Sequence, residues 1–448
     1  MNQLHNNAKE SLVRLENAGS VIWSASQKCY YFSKDNVISL LFGDVTNKSL
    51  IKYNELNSYQ KEQLMGCGIF GDFRVLSYTN DSANKLSYPL EVYFDYSSQC
   101  NLRCPGCYNS KHLNNTSFSC DNIQRVIAEM YDLGMMRLHL AGGEPTMDYE
   151  KLKVYMTTAK DYGIVTSLAT NGTLLSDRVC TLLMNSNMLA VSVSLDGWND
   201  EMNVIRRGGK ADNFGIIVDG IKRLVEKKVE LAVDTEICLK PTYETKVDAE
   251  YFEKMICFSI DLGVDKIKFA NPERSLNHES KHYQQEVNRY YENMLSIALL
   301  QKKYQDRIKI TNITNPVVSC GQIGIPGNKG CIGSQELIAI NPDGRITPCL
   351  MNDTVLGNYY NYPSLKTFFD ESAELKEYRK SIIPNQICGG CEIYLQCRGG
   401  CQVRKIVDNG SICGMDPYCP IEAGMKVFNN ESFPMSDNFQ KINVFHSL

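Results

Sequence analysis

Three cysteines, Cys100, Cys104 and Cys107, stand at CX3CX2C spacing in the segment Gln99-Cys100-Asn101-Leu102-Arg103-Cys104-Pro105-Gly106-Cys107-Tyr108. Cysteine thiolates are the usual ligands of iron–sulfur clusters, and four of them close a [4Fe–4S] cube. Three leave one iron without a protein ligand, and an open coordination position is where a metal centre does chemistry. A zinc loop short of its fourth ligand, or three unrelated thiols, would share the spacing. A second set lies far downstream. Cys331 is followed by Gly344 and Cys349, then by Cys388, Cys391, Cys397 and Cys401 at CX2CX5CX3C, and by Cys419 in Asp416-Pro417-Tyr418-Cys419. This spacing marks a metal-binding region, with zinc as the simple alternative to iron and sulfide.

The whole chain of 448 residues holds 18 cysteines. Disulfides are rare in the cytosol, so reduced thiols in such number call for metal. The start, Met1-Asn2-Gln3-Leu4-His5, has neither the basic region nor the apolar core of a signal peptide. No apolar run approaches the ~20 residues of a membrane helix. A net charge of -4 gives a nucleic-acid partner no electrostatic support. The expectation is a cytoplasmic protein with no membrane and no nucleic acid partner.

The cysteine loop needs elements to hold it. From residue 86 to 305 strand and helix patterns alternate, as in βαβ units with a parallel sheet. Strands are expected at Pro89–Asp95, Met136–Ala141, Val165–Ala169, Leu189–Leu195, Glu230–Leu239 and Lys266–Ala270. Several end in polar turns. Gly142-Gly143-Glu144-Pro145 follows the second strand, Thr170-Asn171-Gly172 the third, and Ser194-Leu195-Asp196-Gly197 lies at the end of the fourth. Asp234 and Glu236 share a face of the fifth by alternation. Ahead of this region, 27–33 and 37–42 read as strands and 57–64 as a helix, either a cap on the main domain or an element that captures an extended peptide on a sheet edge. Downstream, Leu337–Asn341 and Gly344–Cys349 read as a hairpin across Asn341-Pro342-Asp343-Gly344. Cys29, Cys67, Cys120, Cys180, Cys238 and Cys257 are scattered, and read as small buried hydrophobes.

The cysteine spacing, the aromatic residue straight after it and the strand-end turns together resemble the radical S-adenosylmethionine (SAM) enzymes. The downstream constellation resembles their seven-cysteine SPASM extension. The resemblance implies an α/β fold: a partial (β/α)6 radical SAM barrel over 86–305 and a cysteine-rich SPASM domain over 306–425. A small α+β, winged-helix-like recognition domain would occupy 1–85, and a C-terminal tail 426–448. Three [4Fe–4S] clusters are implied. Cys100, Cys104 and Cys107 would bind the one that receives SAM. Cys331, Cys349 and Cys401, with Cys320 as a fourth ligand or none, would bind an inner auxiliary cluster. Cys388, Cys391, Cys397 and Cys419 would bind an outer one, with Cys413 a rival to Cys419. SAM itself would meet Gly142, Gly143, Glu144, Thr170, Asn171, Ser194 and Asp196. Its carboxylate would pair with Arg206, or failing that with its neighbour Arg207. In this family a reduced cluster donates an electron to SAM, and the 5′-deoxyadenosyl radical released abstracts hydrogen from substrate. The resemblance further implies a ribosomally made precursor peptide with a leader as substrate, a thioether or carbon–carbon cross-link as product, and an external electron donor of flavodoxin or ferredoxin type. Formylglycine formation on a sulfatase is the alternative chemistry. An electron carrier or a zinc-binding module is the non-enzymatic alternative.

Overall fold

The computed structural model describes residues 11–16, 19–25, 28–33, 49–66, 69–78, 86–114, 116–207, 213–243, 246–270, 281–313, 330–391 and 394–419. Two sheets organise them. The first has five strands: β1 (Ser11–Glu16), β2 (Gly19–Ser24), β3 (Cys29–Ser33), β4 (Ser49–Ile51) and β5 (Phe73–Ser77), in the order β3-β2-β1-β5-β4. Helix α1 (Ser58–Gly66) accompanies it. The expected strand at 27–33 and the helix at 57–64 are present, whereas the expected strand at 37–42 lies outside the described residues. β1, β2, β4 and β5 were not expected. In β1 the charged Arg14 and Glu16 break the apolar pattern, yet both are buried and paired with each other at 2.6 Å.

The second sheet has ten strands. β6 (Glu91–Phe94), β7 (Arg137–Leu140), β8 (Val165–Thr170), β9 (Met188–Val193), β10 (Glu236–Leu239), β11 (Lys266–Ala270) and β12 (Lys309–Ile313) run in spatial sequence, all parallel. Helices follow the strands: α2 (Cys120–Asp132), α3 (Tyr149–Asp161), α4 (Asp177–Met184), α5 (Asp200–Arg207), α6 (Asn213–Glu230), α7 (Ala249–Asp261) and α8 (Tyr283–Tyr304). Ser119, Asp148, Ser176 and Asp248 cap α2, α3, α4 and α7, each accepting from a backbone N–H one turn on. The six expected strands are all there. β10 is shorter than expected, because Glu230 ends α6 and Ala232 takes a positive φ of 50° before the strand begins. β12 is a further parallel strand at the edge.

Alternate residues of these strands, such as Val92, Phe94, Leu138 and Leu140, are buried in one core beneath the helices. The others turn inward and are polar: Glu91 on β6 bonds Arg137 and His139 of β7. The expected hairpin is β13 (Leu337–Ile340) with β14 (Arg345–Thr347), but it is not separate from the barrel. β13 pairs in parallel with β6, and β14 continues to β15 (Gly357–Asn358). The cysteine-rich region therefore grows from the barrel's own sheet, on the strand that carries the first cysteine loop.

Candidate functional site

The CX3CX2C loop leaves the C-terminal end of β6 and is stitched to the turn after β7. Gly143 N donates to the Ser97 carbonyl at 3.2 Å and Glu144 N to the Gln99 carbonyl at 2.6 Å. Gly143 must be glycine, since a Cβ there would overlap the Gln99 carbonyl. Gly142 has φ +49° and lies against Asp95 and the Ser97 carbonyl. Asp95, buried at the end of β6, accepts from Ala141 N at 2.8 Å, and burial pushes its carboxyl up to about 7. Two tyrosines bracket the loop: Tyr96 donates to the Pro145 carbonyl, and Tyr108 to that of Gly142 at 3.5 Å. Tyr108 is the aromatic residue that closes the cysteine motif, whereas Tyr96 and Asp95 had no motif to reveal them.

Within the loop, Leu102 N donates to Cys100 Sγ at 3.4 Å, and Cys107 N to the Cys104 carbonyl at 3.2 Å. The three thiols are close enough to feel one another, and burial raises those of Cys100 and Cys104. A backbone N–H on one half-buried sulfur, with two further thiols on the same short loop, suits thiolates that share one inorganic cluster. Cys107 is half-buried like the other two.

The strand ends converge here. Glu144 is fully buried and spends both carboxylate oxygens on the protein: Oε1 accepts from Thr146 and from the Thr170 hydroxyl at 2.7 Å, and Oε2 from Asn171 N at 2.6 Å. Thr170 Oγ1 also accepts from Gly172 N. Asn171 Nδ2 donates to Asn101 in the cysteine loop at 2.8 Å. Glu144 and Thr170 thus position neighbouring turns, whereas Ser194, half-buried beside them, has no side-chain hydrogen bond among the described residues.

The arginines divide differently from expectation. Arg206 Nη1 donates to the Thr242 carbonyl at 2.9 Å. Arg207 Nη2 pairs with the buried Asp196 at 2.7 Å and its guanidinium also bonds the Cys104 side chain. Its Nε–H is buried without an acceptor. Asp196 is occupied as well, by Arg207 and by Thr242 N at 2.7 Å. The helical spacing of α5 turns adjacent arginines to different faces, which a reading in terms of a basic turn could not resolve. Asp234 precedes β10, is exposed and pairs with Lys28, while Glu236 faces inward and pairs with Lys266.

In the cysteine-rich region, Cys331, Cys349 and Cys401 surround Tyr378, whose hydroxyl bonds Gln402 at 2.7 Å and Asn352 at 2.9 Å. Near Cys331, Ser334 is held at φ +64°, and Arg379 gives Nε to the Ser334 carbonyl; among the described residues the buried Ser334 hydroxyl and Arg379 Nη2 have no partner. Two orphaned donors beside a thiol fit an anionic cluster. Cys320 lies outside the described residues. Cys388 and Cys397 flank Tyr394, and Cys391 N closes a turn on the Cys388 carbonyl at 3.2 Å. Cys388 Sγ lies 4.0 Å from Met415 Sδ, so the loop bearing Cys419 passes it. Asp416 ties that loop down, accepting from Cys401 N at 2.6 Å and from the Arg404 guanidinium. The Cys413 thiol instead donates to the Ser381 carbonyl at 3.2 Å. Of the scattered cysteines, Cys180 and Cys238 are buried, whereas Cys120 and Cys257 are only half-buried; Cys67 lies outside the described residues.

Residues 95–249 match the Radical SAM superfamily, and 331–392 match SPASM, an iron–sulfur cluster-binding domain. The chain is 24% identical over 365 residues to a PqqA peptide cyclase of Bradyrhizobium diazoefficiens, covering 78% of this chain and 90% of that protein. It is 25% identical over 358 residues to an AdoMet-dependent heme synthase of Methanosarcina barkeri, covering 75% and 98%. The fold is similar to Streptococcus suis SuiB bound to the precursor peptide SuiA, with a TM-score of 0.67 and 17% identity over 91% of this chain and 98% of SuiB. No helix among the described residues is long and apolar enough to cross a membrane. The cluster loop, the turns at the strand ends and the cysteine-rich sheet extension fall within those matches, and the chain carries a radical SAM domain followed by a SPASM iron–sulfur cluster-binding domain.

Proposed function

We propose that this enzyme cross-links a ribosomally made precursor peptide, forming a thioether or a carbon–carbon bond. The observation that carries the reading is the cysteine loop bonded to the Gly143–Glu144 turn at the C-terminal mouth of the parallel strands, the end where barrel enzymes place their chemistry. The likeness to a peptide cyclase and to SuiB with its precursor peptide supports a peptide as substrate.

Cys100, Cys104 and Cys107 would hold the SAM-binding cluster, and the two further sets, Cys331/Cys349/Cys401 with Cys320 and Cys388/Cys391/Cys397/Cys419, two auxiliary clusters, three in all. When bound and reduced, the first cluster with SAM supplies the 5′-deoxyadenosyl radical. The chain's own residues bind and orient. The free Nε–H of Arg207 suits the SAM carboxylate, a role the position of Arg207 supports better than that of Arg206. Gly142 and Gly143 let the turn pack directly on the cysteine loop, which fixes where SAM would meet its backbone, and the Ser194 side chain suits the ribose. Glu144 keeps Thr170 and Asn171 in register without spending itself on ligand. Residues 1–85 would hold the leader, 86–305 the reaction and 306–425 the auxiliary clusters. β3 and β4 are the edges of the described N-terminal sheet, and an edge can accept a peptide strand. An external donor of flavodoxin or ferredoxin type would supply the electron, in the reducing cytoplasm where so many thiols persist.

The test is an anaerobic reaction of iron-reconstituted, dithionite-reduced protein with SAM and a short cysteine-containing peptide encoded beside it. A peptide lighter by two hydrogens, formed only with SAM, is expected. Deoxyadenosine without any change in such peptides would overturn the substrate assignment and leave the family chemistry standing.

A further inference from the structure

On β11, Ile267 and Phe269 are fully buried against the helices, so Lys266 and Lys268 face the barrel interior. Lys266 is paired with Glu236 at 3.1 Å, and Glu236 also takes Lys309 of β12 at 3.3 Å. Lys268, two residues nearer the C-terminal mouth, has no hydrogen bond and no ion pair among the described residues. The carboxylates whose charge reaches it are Glu236 and Glu91. Both are already committed, the second to Arg137 at 2.8 Å and His139 at 3.0 Å. Glu91 stands on β6, five strands away along the sheet, so its influence on Lys268 crosses the interior. The Cys238 thiol, also inward, is another neighbour and donates to the Leu239 carbonyl at 3.5 Å.

Directly beside Lys268 in the parallel register is Thr311 of β12, whose buried hydroxyl has no partner among the described residues. An ammonium and a hydroxyl, adjacent and both unsatisfied, make a two-donor cradle on the inner wall. Its height is set by the ladder. Leu239 pairs with Val193 on one side and Ile267 on the other, so the next residues, Ser194 and Lys268, stand level. The pair therefore lies at the depth of the SAM-end turns, two strands across, roughly 10 Å at the usual strand spacing. Burial disfavours the charged ammonium and lowers the pKa of Lys268. An anion placed there would offset this and complete the hydrogen bonding of both groups.

We propose that Lys268 and Thr311 form a carboxylate-binding subsite on the inner barrel wall that receives an acidic side chain of the peptide substrate, a specificity determinant that rests on the peptide reading above. SAM's own carboxylate is accounted for by Arg207 on α5, outside this strand pair. The subsite would fix the register of the peptide by holding one Asp or Glu while a neighbouring residue meets the radical.

The test uses the reconstituted protein with SAM present and measures acetic anhydride labelling of Lys268 by mass spectrometry, with exposed Lys302 as internal reference. The two probes are N-acetyl-glutamic acid α-amide and N-acetyl-glutamine α-amide. A several-fold slowing of Lys268 labelling by the glutamate probe and not by the glutamine probe is expected. Thr311→Val, which keeps the side-chain volume, should weaken that protection. Equal slowing by both probes, or none, overturns the subsite, and in a poorly folding variant the two-probe comparison on the unaltered protein still decides. Selective protection in an enzyme that modifies no peptide would uphold the subsite and sink the peptide reading instead.

Discussion

Arg206 and Arg207 are adjacent in sequence and do different work. Arg207 is anchored on Asp196 and turned to Cys104, with one N–H left over, while Arg206 is used on a backbone carbonyl. A guanidinium that is bidentate cannot be replaced by an ammonium without losing a bond. Arg207→Lys should therefore weaken SAM binding by about 10-fold or more, the loss of roughly one charge-assisted hydrogen bond. Arg206→Lys should change it little, and equilibrium dialysis with labelled SAM separates the two. A second residue-scale consequence lies inside the barrel. Burial alone would raise Glu91, but the hydrogen bonds and charges of His139 and Arg137 hold it down at about 2. A carboxyl lowered in the folded state stabilises above its unfolded value near 4.5 and loses that contribution as pH falls towards 2. The contribution is about 3 kcal/mol when complete. Glu91→Gln should lower the urea midpoint at pH 6, and the gap to the unaltered protein should shrink between pH 4.5 and pH 2.

At the scale of elements, the site depends on how one loop is tied to one turn. Gly143→Ala forces a Cβ into the Gln99 carbonyl, so the loop holding Cys100 must move. The variant should lose the iron bound at Cys100, Cys104 and Cys107 while keeping the iron of the cysteine-rich region, read by iron and sulfide content and by the absence of SAM cleavage. Much of this arrangement was legible in the chain. The spacing of Cys100, Cys104 and Cys107, and of Gly142 to Glu144, is local, and strand-to-helix alternation placed both at strand ends. What was not legible depends on contacts between distant segments. β1 was hidden because Arg14 and Glu16 satisfy each other inside the protein. β12 carries Lys309 and Thr311 on a short strand whose partner β11 is more than forty residues upstream. The fusion of β13 to β6 is likewise a pairing across the whole barrel. The choice between Arg206 and Arg207 needed helix α5, which eight residues rich in charge do not announce.

Across the whole molecule, the N-terminal sheet and the chemistry occupy opposite ends of the barrel. Arg14 donates to the carbonyls of Tyr88 at 2.7 Å and Pro89 at 2.9 Å, just before β6. Tyr30 bridges the Leu90 carbonyl and Met136 N, and Lys28 reaches Met188 and Asp234. All of these lie at the N-terminal ends of the strands, whereas the cysteine loop leaves their C-terminal ends. Arg14→Met would leave Glu16 buried without its partner and should cost about 3–5 kcal/mol, measured by denaturant unfolding. The separation also sets a length. β8 spans six residues, roughly 20 Å at the usual rise. A leader held on the N-terminal sheet must be joined to the modified residue by at least about six extended residues. Shortening that spacer should abolish modification without affecting SAM cleavage. The central claim is that these elements together make a radical-generating enzyme. The measurement that tests it most directly is 5′-deoxyadenosine, quantified by mass spectrometry after anaerobic incubation of the reconstituted, reduced protein with SAM, beside Cys104→Ala. Formation by the unaltered protein, abolished in the variant while its remaining clusters persist, is the expected result. No deoxyadenosine from protein of verified iron and sulfide content, or equal amounts from the variant, would contradict it.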